Sequence, residues 1–174
     1  MDRPIHNTTV RHETEARSYR EIQVRRATLR DVPAVARLFD EYRQFYEQPA
    51  DLPRAERFIA ERLRLADSVI FTAASSTSDA DSSLGFVQLY ASLSSVDTAR
   101  ILILNDLFVA MPARKCGVAM ALMEAARQYA GSIRACRIEL VTGTENAPAQ
   151  RLYRKLGYEP NRELEAFVLG LRLW

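Results

Sequence analysis

The stretch from Leu102 to Ala130, LILNDLFVAMPARKCGVAMALMEAARQYA, constrains the fold more than any other. Ile101 to Ala110 is apolar except for Asn105 and Asp106, which suits a central strand covered on both faces. Further on, Val118, Leu122, Ala126 and Tyr129 fall on one helical stripe with Met123 beside it. Between them stand Pro112, the basic pair Arg114 and Lys115, and Gly117, where the first turn of the helix must begin. The N–H groups of a helix start, with glycine for close approach and arginine nearby, favour a phosphate or another anion.

The chain around this unit alternates between helical and strand periods. Ile22 to Ala27 reads as a short strand, and Thr28 and Asp31 then offer capping groups. Val32, Val35, Phe39, Tyr42 and Tyr46 have helical spacing, and Pro33 lies in the first turn, where a missing N–H costs little. Asp51 caps a second helix, Leu52 to Ala66, whose inward stripe is Ala55, Phe58, Ile59, Leu63 and Ala66. Ser68 to Ala74, Leu84 to Ser92 and Arg100 to Ala110 are strands joined by polar turns, an antiparallel meander. After the central helix come a strand over Arg134 to Thr142, a helix opened by Thr144 to Asn146 and ended by Gly157, and a last strand over Glu163 to Trp174. The order β-α-α-β-β-β-α-β-α-β contains a crossover that sets Ile101–Ala110 parallel to Arg134–Thr142.

Residues 1–20 form a flexible polar tail, and residues 21–174 a single domain with one substantial core. The 24 basic and 22 acidic side chains nearly cancel, so charge points to no nucleic-acid or membrane partner. No apolar stretch reaches the ~20 residues of a membrane helix. The first 20 residues lack the apolar core of an export signal. Cys116 and Cys136 make no disulfide framework, and the setting expected is cytoplasmic. No metal site is expected.

As an isolated hexapeptide, Arg114-Lys115-Cys116-Gly117-Val118-Ala119 reads equally as a basic surface turn into a helix. It lacks the Gly-Lys-Ser/Thr of a Walker loop and the glycine triplet of a dinucleotide fingerprint. A second motif begins 32 residues after Arg114: Asn146-Ala147-Pro148-Ala149-Gln150-Arg151-Leu152-Tyr153-Arg154-Lys155-Leu156-Gly157-Tyr158. In this order, spacing and strand context the pair resembles the signature of the GCN5-related N-acetyltransferase (GNAT) superfamily. The first matches its Arg/Gln-x-x-Gly-x-Gly/Ala loop, the second its Asn-x-x-Ala-x-x-Leu-Tyr-x-x-x-Gly-Phe/Tyr helix. The resemblance runs from Ile22 to Trp174 and is to the small-amine or general acetyltransferase type. It implies a mixed α/β fold: a mostly antiparallel central sheet with a splayed parallel strand pair, flanked by about four helices.

That resemblance implies acetyl-CoA. Its pyrophosphate would sit on the N–H groups of Cys116, Gly117, Val118 and Ala119, helped by Arg114. Its pantetheine would pair like a strand with the backbone of Leu107, Phe108 and Val109, and Asn146 would hydrogen-bond it. Tyr153 would aim its hydroxyl at the sulfur and protonate the leaving thiolate. The implied reaction is direct attack of a primary amine, in a ternary complex, on the thioester. A core aromatic and a helix N-cap are the plain readings of Tyr153 and Asn146, and Asn146 can serve as both. Lys115 stands where the family loop has glycine, which matters if that position needs a positive φ. Ala119 is a family variant. Cys116 reads as a small residue facing the cofactor or as a nucleophile. The first reading is preferred, because His6 and His12 lie in the tail.

For the acceptor, Asp106 is the foremost residue, because a carboxylate in an apolar strand is costly unless paired or functional. It reads either as the base that deprotonates the amine or as a structural acceptor. Leu104-Asn105-Asp106-Leu107-Phe108-Val109 resembles the Leu-Glu-Asp-Phe-Phe-Val strand of polyamine and thialysine acetyltransferases. Asn105 replaces their Glu, which argues against their polyamine preference. Glu41, Tyr42, Tyr46 and Glu47 on the first helix and its exit, with Gln88, Tyr90 and Asn105 on the strands, complete the substrate-side candidates. A non-catalytic acetyl-CoA-binding sensor or interaction module is the other reading. An aminoglycoside-modifying enzyme is a third, for which the acids at the helix exit are Asp40, Glu41, Glu47 and Asp51. Phe167, Leu169, Leu171 and Trp174 on the final strand offer a homodimer contact.

Overall fold

The computed structural model describes residues 22–75, 83–162 and 165–171. The chain divides into two compact units, Met1–Glu139 and Leu140–Trp174. In chain order the elements are β1 (Ile22–Arg26), α1 (Val32–Phe45), α2 (Leu52–Leu65), β2 (Ser68–Ser75), β3 (Ser83–Ser94), β4 (Ala99–Val109), α3 (Val118–Ser132), β5 (Arg137–Leu140) and α4 (Ala147–Lys155). The sheet order is β1-β2-β3-β4-β5, antiparallel from β1 to β4 and with one parallel pair. Helices α1 and α2 pack on one another, α1 touches β3 and β4, and α3 packs on β1 to β4. This is the mixed α/β fold that the family resemblance implies, with the antiparallel meander read from the apolar periods.

Both faces of the sheet are covered, so β3 is buried without interruption from Leu84 to Leu89. Ile70, Phe86 and Phe108 join Val35, Leu38, Phe39, Ala55 and Ile59 from the two helices in one core cluster. The rings of Phe39 and Phe58 stack at 5.1 Å, and Phe39 meets Phe86 edge-on at 6.2 Å. β3 and β4 approach closely at Gly85, where a Cβ would lie 2.7 Å from the Phe108 carbonyl oxygen.

Asp31, at the entry to α1, is buried and joined to β1. Arg25 donates to its two oxygens at 2.8 and 2.5 Å, and the Thr28 N–H and hydroxyl donate at 2.8 and 3.0 Å. Those donors, Arg25 first, hold its pKa down to about 2. A depressed carboxylate stabilises the fold fully above the ordinary carboxylate range and loses that contribution as pH falls through it. With Arg25 half exposed and screened by solvent, Asp31→Asn is expected to cost about 1–2 kcal/mol at pH 7. In urea melts, the gap from the parent should close between about pH 4 and pH 2.

Three sequence expectations are corrected. Ala66 is exposed rather than part of the α2 stripe, and its left-handed φ of 51° closes the helix. The strand expected over Arg134–Thr142 is only Arg137–Leu140. Arg134, at φ 56°, and Ala135 instead end α3, donating to the Gly131 and Ala130 carbonyls at 3.1 and 2.9 Å. Residues 165–171 form no strand; Phe167, Val168, Leu169 and Leu171 are 79–92% exposed. β-propensity makes no strand without a ladder partner. Glu163, Leu164 and 172–174 lie outside the described residues, as do the N-terminal tail and most of the polar turn after β2.

Candidate active site

The site begins with an irregularity in β4. Gln88 pairs with Asp106, but Leu89 pairs with Leu104, so Asn105 is the extra residue of a β-bulge. The bulge puts Asp106 on the face that carries Gln88, Phe86 and Phe108, while Asn105 is exposed. Asp106 is 4% exposed and accepts from the Asn105 side-chain amide at 3.3 Å and from the Tyr42 hydroxyl. Burial pushes its pKa above the usual carboxylate range, against the pull of those two donors. Tyr42, on α1, is half-buried and also bonded to Tyr46. Burial first, then the Asp106 charge, raises its pKa.

The buried polar group extends along β3. The Gln88 Nε2 donates to the Ser68 hydroxyl at 2.7 Å and the Tyr90 oxygen at 3.0 Å. Its Oε1 is fully buried and meets no donor among the described residues. Tyr90 is within electrostatic reach of Asp106, which after burial is the next cause of its raised pKa. The sequence marked Gln88, Tyr90, Tyr42, Tyr46 and Asp106 separately; the fold brings them to one layer. Ser68 was not marked, and nothing in its local pattern distinguishes it from a turn serine.

The four acids at the exit of α1 have different fates. Asp40 accepts from the Arg43 guanidinium at 3.0 Å, the Gln44 amide at 3.1 Å and the Asp51 N–H at 2.9 Å. Asp51 caps α2 by accepting from the Arg54 N–H at 3.0 Å. Glu41 and Glu47 are exposed, and Glu47 has a φ of 60°.

The end of β4 leads to the loop. The Ala110 N–H bonds the Leu84 carbonyl at 2.9 Å. By the antiparallel alternation, Val109 and Leu107 then turn their N–H and C=O away from β3, and Phe108 turns its own toward it. Val109 O does accept from outside the sheet: the Arg114 Nε donates to it at 3.1 Å. The Arg114 guanidinium lies 5.6 Å from the Phe108 ring centroid, a cation–π contact. Cys116 is half-buried, with its thiol donating to the Arg114 carbonyl at 3.3 Å.

Gly117 is the N-cap of α3 with φ 89°, a conformation that favours glycine. A Cβ there would make only ordinary contact, 3.7 Å from Ile22, so backbone conformation rather than crowding demands it. The first α3 bond runs from the Ala121 N–H to the Gly117 carbonyl at 3.0 Å. The N–H groups of Val118, Ala119 and Met120 therefore have no carbonyl within the helix. No acid occupies the first turn, Val118 is buried as its anchor, Ala119 is half-buried, and Arg114 and Lys115 are exposed beside it. These residues fit a pyrophosphate.

Lys115 does hold a left-handed φ, 62°, so the expected demand on that position is real. Lys115→Gly should raise unfolding stability by about 0.5–1 kcal/mol by relieving it. The substitution also removes an exposed ammonium beside the expected pyrophosphate, so affinity for acetyl-CoA in calorimetry should fall about threefold, ~0.6 kcal/mol. A loss of stability would give the Lys115 side chain a role of its own.

In the second unit, Asn146 caps α4 by accepting from the Ala149 N–H at 3.3 Å. The Gln150 amide donates to the Thr144 and Gly143 carbonyls at 2.8 and 3.2 Å, fixing the turn before the helix. Tyr153 is half-buried, and its ring lies 6.0 Å from that of Tyr158. Gly157, at φ 86°, ends the segment, and the Tyr158 N–H reaches back to the Tyr153 carbonyl at 3.0 Å.

Strand backbone turned away from β3 at Leu107 and Val109, a helix start with free N–H groups and a buried carboxylate on the same strand are what an acyl-transferring α/β enzyme would use. The model of the acetyltransferase (GNAT) family matches residues 34–158. An uncharacterized N-acetyltransferase of Bacillus subtilis, YhfO, is 43% identical over 150 residues, 86% of this chain and 98% of that protein. A crystal structure of a probable acetyltransferase superposes with a TM-score of 0.80 at 35% identity, covering 86% of this chain and 98% of that one. The ribosomal-protein-alanine N-acetyltransferase of Brucella melitensis shares the fold at TM-score 0.71 and 18% identity, over 87% of this chain and all of that one. The chain belongs to the GNAT acetyltransferase family and is an N-acetyltransferase. The family generally uses acetyl-CoA.

Proposed function

We propose that the protein transfers an acetyl group from acetyl-CoA to a primary amine by direct attack in a ternary complex. The observation that carries this reading is Asp106: a buried carboxylate, aimed inward by the Asn105 bulge, one residue before the backbone of Leu107 that turns away from β3. Acetyl-CoA supplies the thioester whose C–S bond breaks as the C–N bond forms. Leu107 and Val109 would hold the pantetheine by their backbone, and Gly117, Val118 and Ala119, with Cys116 and Lys115 beside them, the pyrophosphate. Arg114 would exchange Val109 O for a phosphate oxygen. Asn146 would bond the pantetheine while keeping its cap.

The acceptor arrives as an ammonium. Asp106 takes its proton, directly or through one water, and leaves the nitrogen lone pair free to attack. The Tyr153 hydroxyl gives its proton to the departing sulfur, and the second proton lost by the nitrogen restores the phenol. Tyr42, Tyr46, Gln88 and Tyr90 surround the amine, with Asn105, Glu41 and Glu47 at the mouth. The exposed apolar run at Phe167–Leu171 supports a homodimer, which light scattering would report as twice the 19.8 kDa chain mass.

The test is calorimetry with acetyl-CoA, followed by thiol release over a panel of primary amines. Saturable binding, amine-dependent release and intersecting double-reciprocal plots are expected. Binding without release for any amine would sink the reading, and parallel plots would replace direct attack by a covalent acetyl-enzyme.

A further inference from the structure

The surroundings of Asp106 restrict the body of the acceptor as well as its reacting group. At the end of α1, Phe45 and Tyr46 are 56% and 47% exposed. Phe45 meets Tyr46 edge-on at 5.2 Å, and Tyr46 meets Tyr42 edge-on at 5.1 Å. Tyr42 in turn meets Phe86 at 6.3 Å and Phe108 at 6.1 Å. One aromatic series thus runs from solvent to the hydroxyl that bonds Asp106.

Buried charge is sparse along it, and Glu41 and Glu47 beside it face water. Asp106 makes no ion pair among the described residues, and the groups acting on it are Asn105 and Tyr42. Asp40 already accepts from three donors, and Asp51 from the backbone of α2. In this layer the Gln88 Oε1 has no donor among the described residues, and the Asp106 carboxylate has two neutral donors, Asn105 and Tyr42, but no cation. What the layer wants is one positive charge with N–H groups, followed by a body that suits aromatic edges and faces.

We propose that the acceptor is a monoamine with an apolar body, alkyl or aryl, whose ammonium meets Asp106 and whose body lies along Tyr42, Tyr46 and Phe45. The inference rests on the acetyl-transfer reading of the same site and narrows it. A diamine, polyamine or aminoglycoside would carry a second ammonium into the aromatic series, where the acids left for it among the described residues are Glu41 and Glu47, both exposed to water, where an ion pair is worth little. Each methylene of an apolar body, by contrast, gains from leaving water there.

The experiment compares n-hexylamine and 2-phenylethylamine with putrescine, spermidine and kanamycin as acceptors at saturating acetyl-CoA. The monoamines should exceed the others in kcat/KM by about 30-fold or more, as burial of several methylenes predicts. In Tyr46→Ala the KM for 2-phenylethylamine should rise about 10-fold, a typical loss for one aromatic contact to its ring, while the KM for acetyl-CoA stays unchanged. Preference for putrescine, spermidine or kanamycin overturns the proposal and leaves acetyl transfer standing; so does an unchanged amine KM in Tyr46→Ala. Calorimetry of 2-phenylethylammonium against the protein loaded with coenzyme A reads the subsite without turnover. Binding that weakens in Tyr46→Ala supports it even if no amine is acetylated, and absence of binding by the parent protein overturns it.

Discussion

Tyr153→Phe is expected to lower kcat by about 10²–10⁴-fold, the range for removing a general acid, with the dissociation constant for acetyl-CoA within about twofold of the parent. The substitution removes one oxygen from a half-buried ring and leaves the contact with Tyr158 in place. The chemistry sets the size of the effect. A free thiol has a pKa near 8.5 and a free phenol near 10, so a full proton transfer from a phenol to a thiolate is uphill by about 2 kcal/mol in water. Sharing the proton spares the departing sulfur a full negative charge. The proton need move only as the C–S bond lengthens, so the loss should fall on kcat and not on binding. A single-turnover thiol-release measurement with a parallel calorimetric titration checks both halves. Turnover at the parent rate removes Tyr153 from the mechanism, and weakened acetyl-CoA binding with intact kcat makes it a cofactor contact only.

What local pattern encodes was legible, and what pairing decides was not. The α1 stripe was readable because Val35 and Phe39 repeat at the helical period and end up buried. The Asp51 and Asn146 caps were readable because a short polar side chain ahead of Pro-containing first turns has one usual task. The loop motif was readable because it specifies backbone: Gly117 holds the positive φ its motif position implies, and Lys115 holds one despite its side chain. The bulge at Asn105 was not readable. Asn105 and Asp106 are adjacent polar residues in an apolar run, and only the register against Gln88 decides which points inward. The acids at the α1 exit looked alike in sequence, yet Asp40 is consumed by Arg43, Gln44 and Asp51, while Glu41 and Glu47 stay exposed. The final segment carried strand-forming residues, but a strand needs a neighbour and a covered face, and no propensity supplies either.

Asp106→Asn should separate the two readings left open for that residue, because they predict opposite signs for stability. The side chain keeps its shape, and its remaining oxygen can still accept from Tyr42. It cannot take a proton, so kcat/KM for the amine should fall about 10²–10⁴-fold, as for loss of a general base. The parent should lose activity on the acid side at a pH above the ordinary carboxylate range, because burial raises the Asp106 pKa. In the variant that limb should vanish, and the residual rate should climb with pH as the free amine becomes populated. For stability the sign runs the other way. A pKa raised by folding means that the contribution of Asp106 is fully present below the unfolded carboxylate value and is lost as pH rises through the folded one. At neutral pH the buried charge therefore destabilises the fold, and the neutral amide should melt higher than the parent. That advantage should shrink as the pH falls through the raised Asp106 pKa and be gone below about 4, where the parent carboxyl is protonated in both states. Loss of activity with a gain in melting temperature is the trade expected of a group kept for chemistry. A variant that melts lower and still turns over would make Asp106 a structural acceptor for Tyr42, and the base would have to be sought elsewhere.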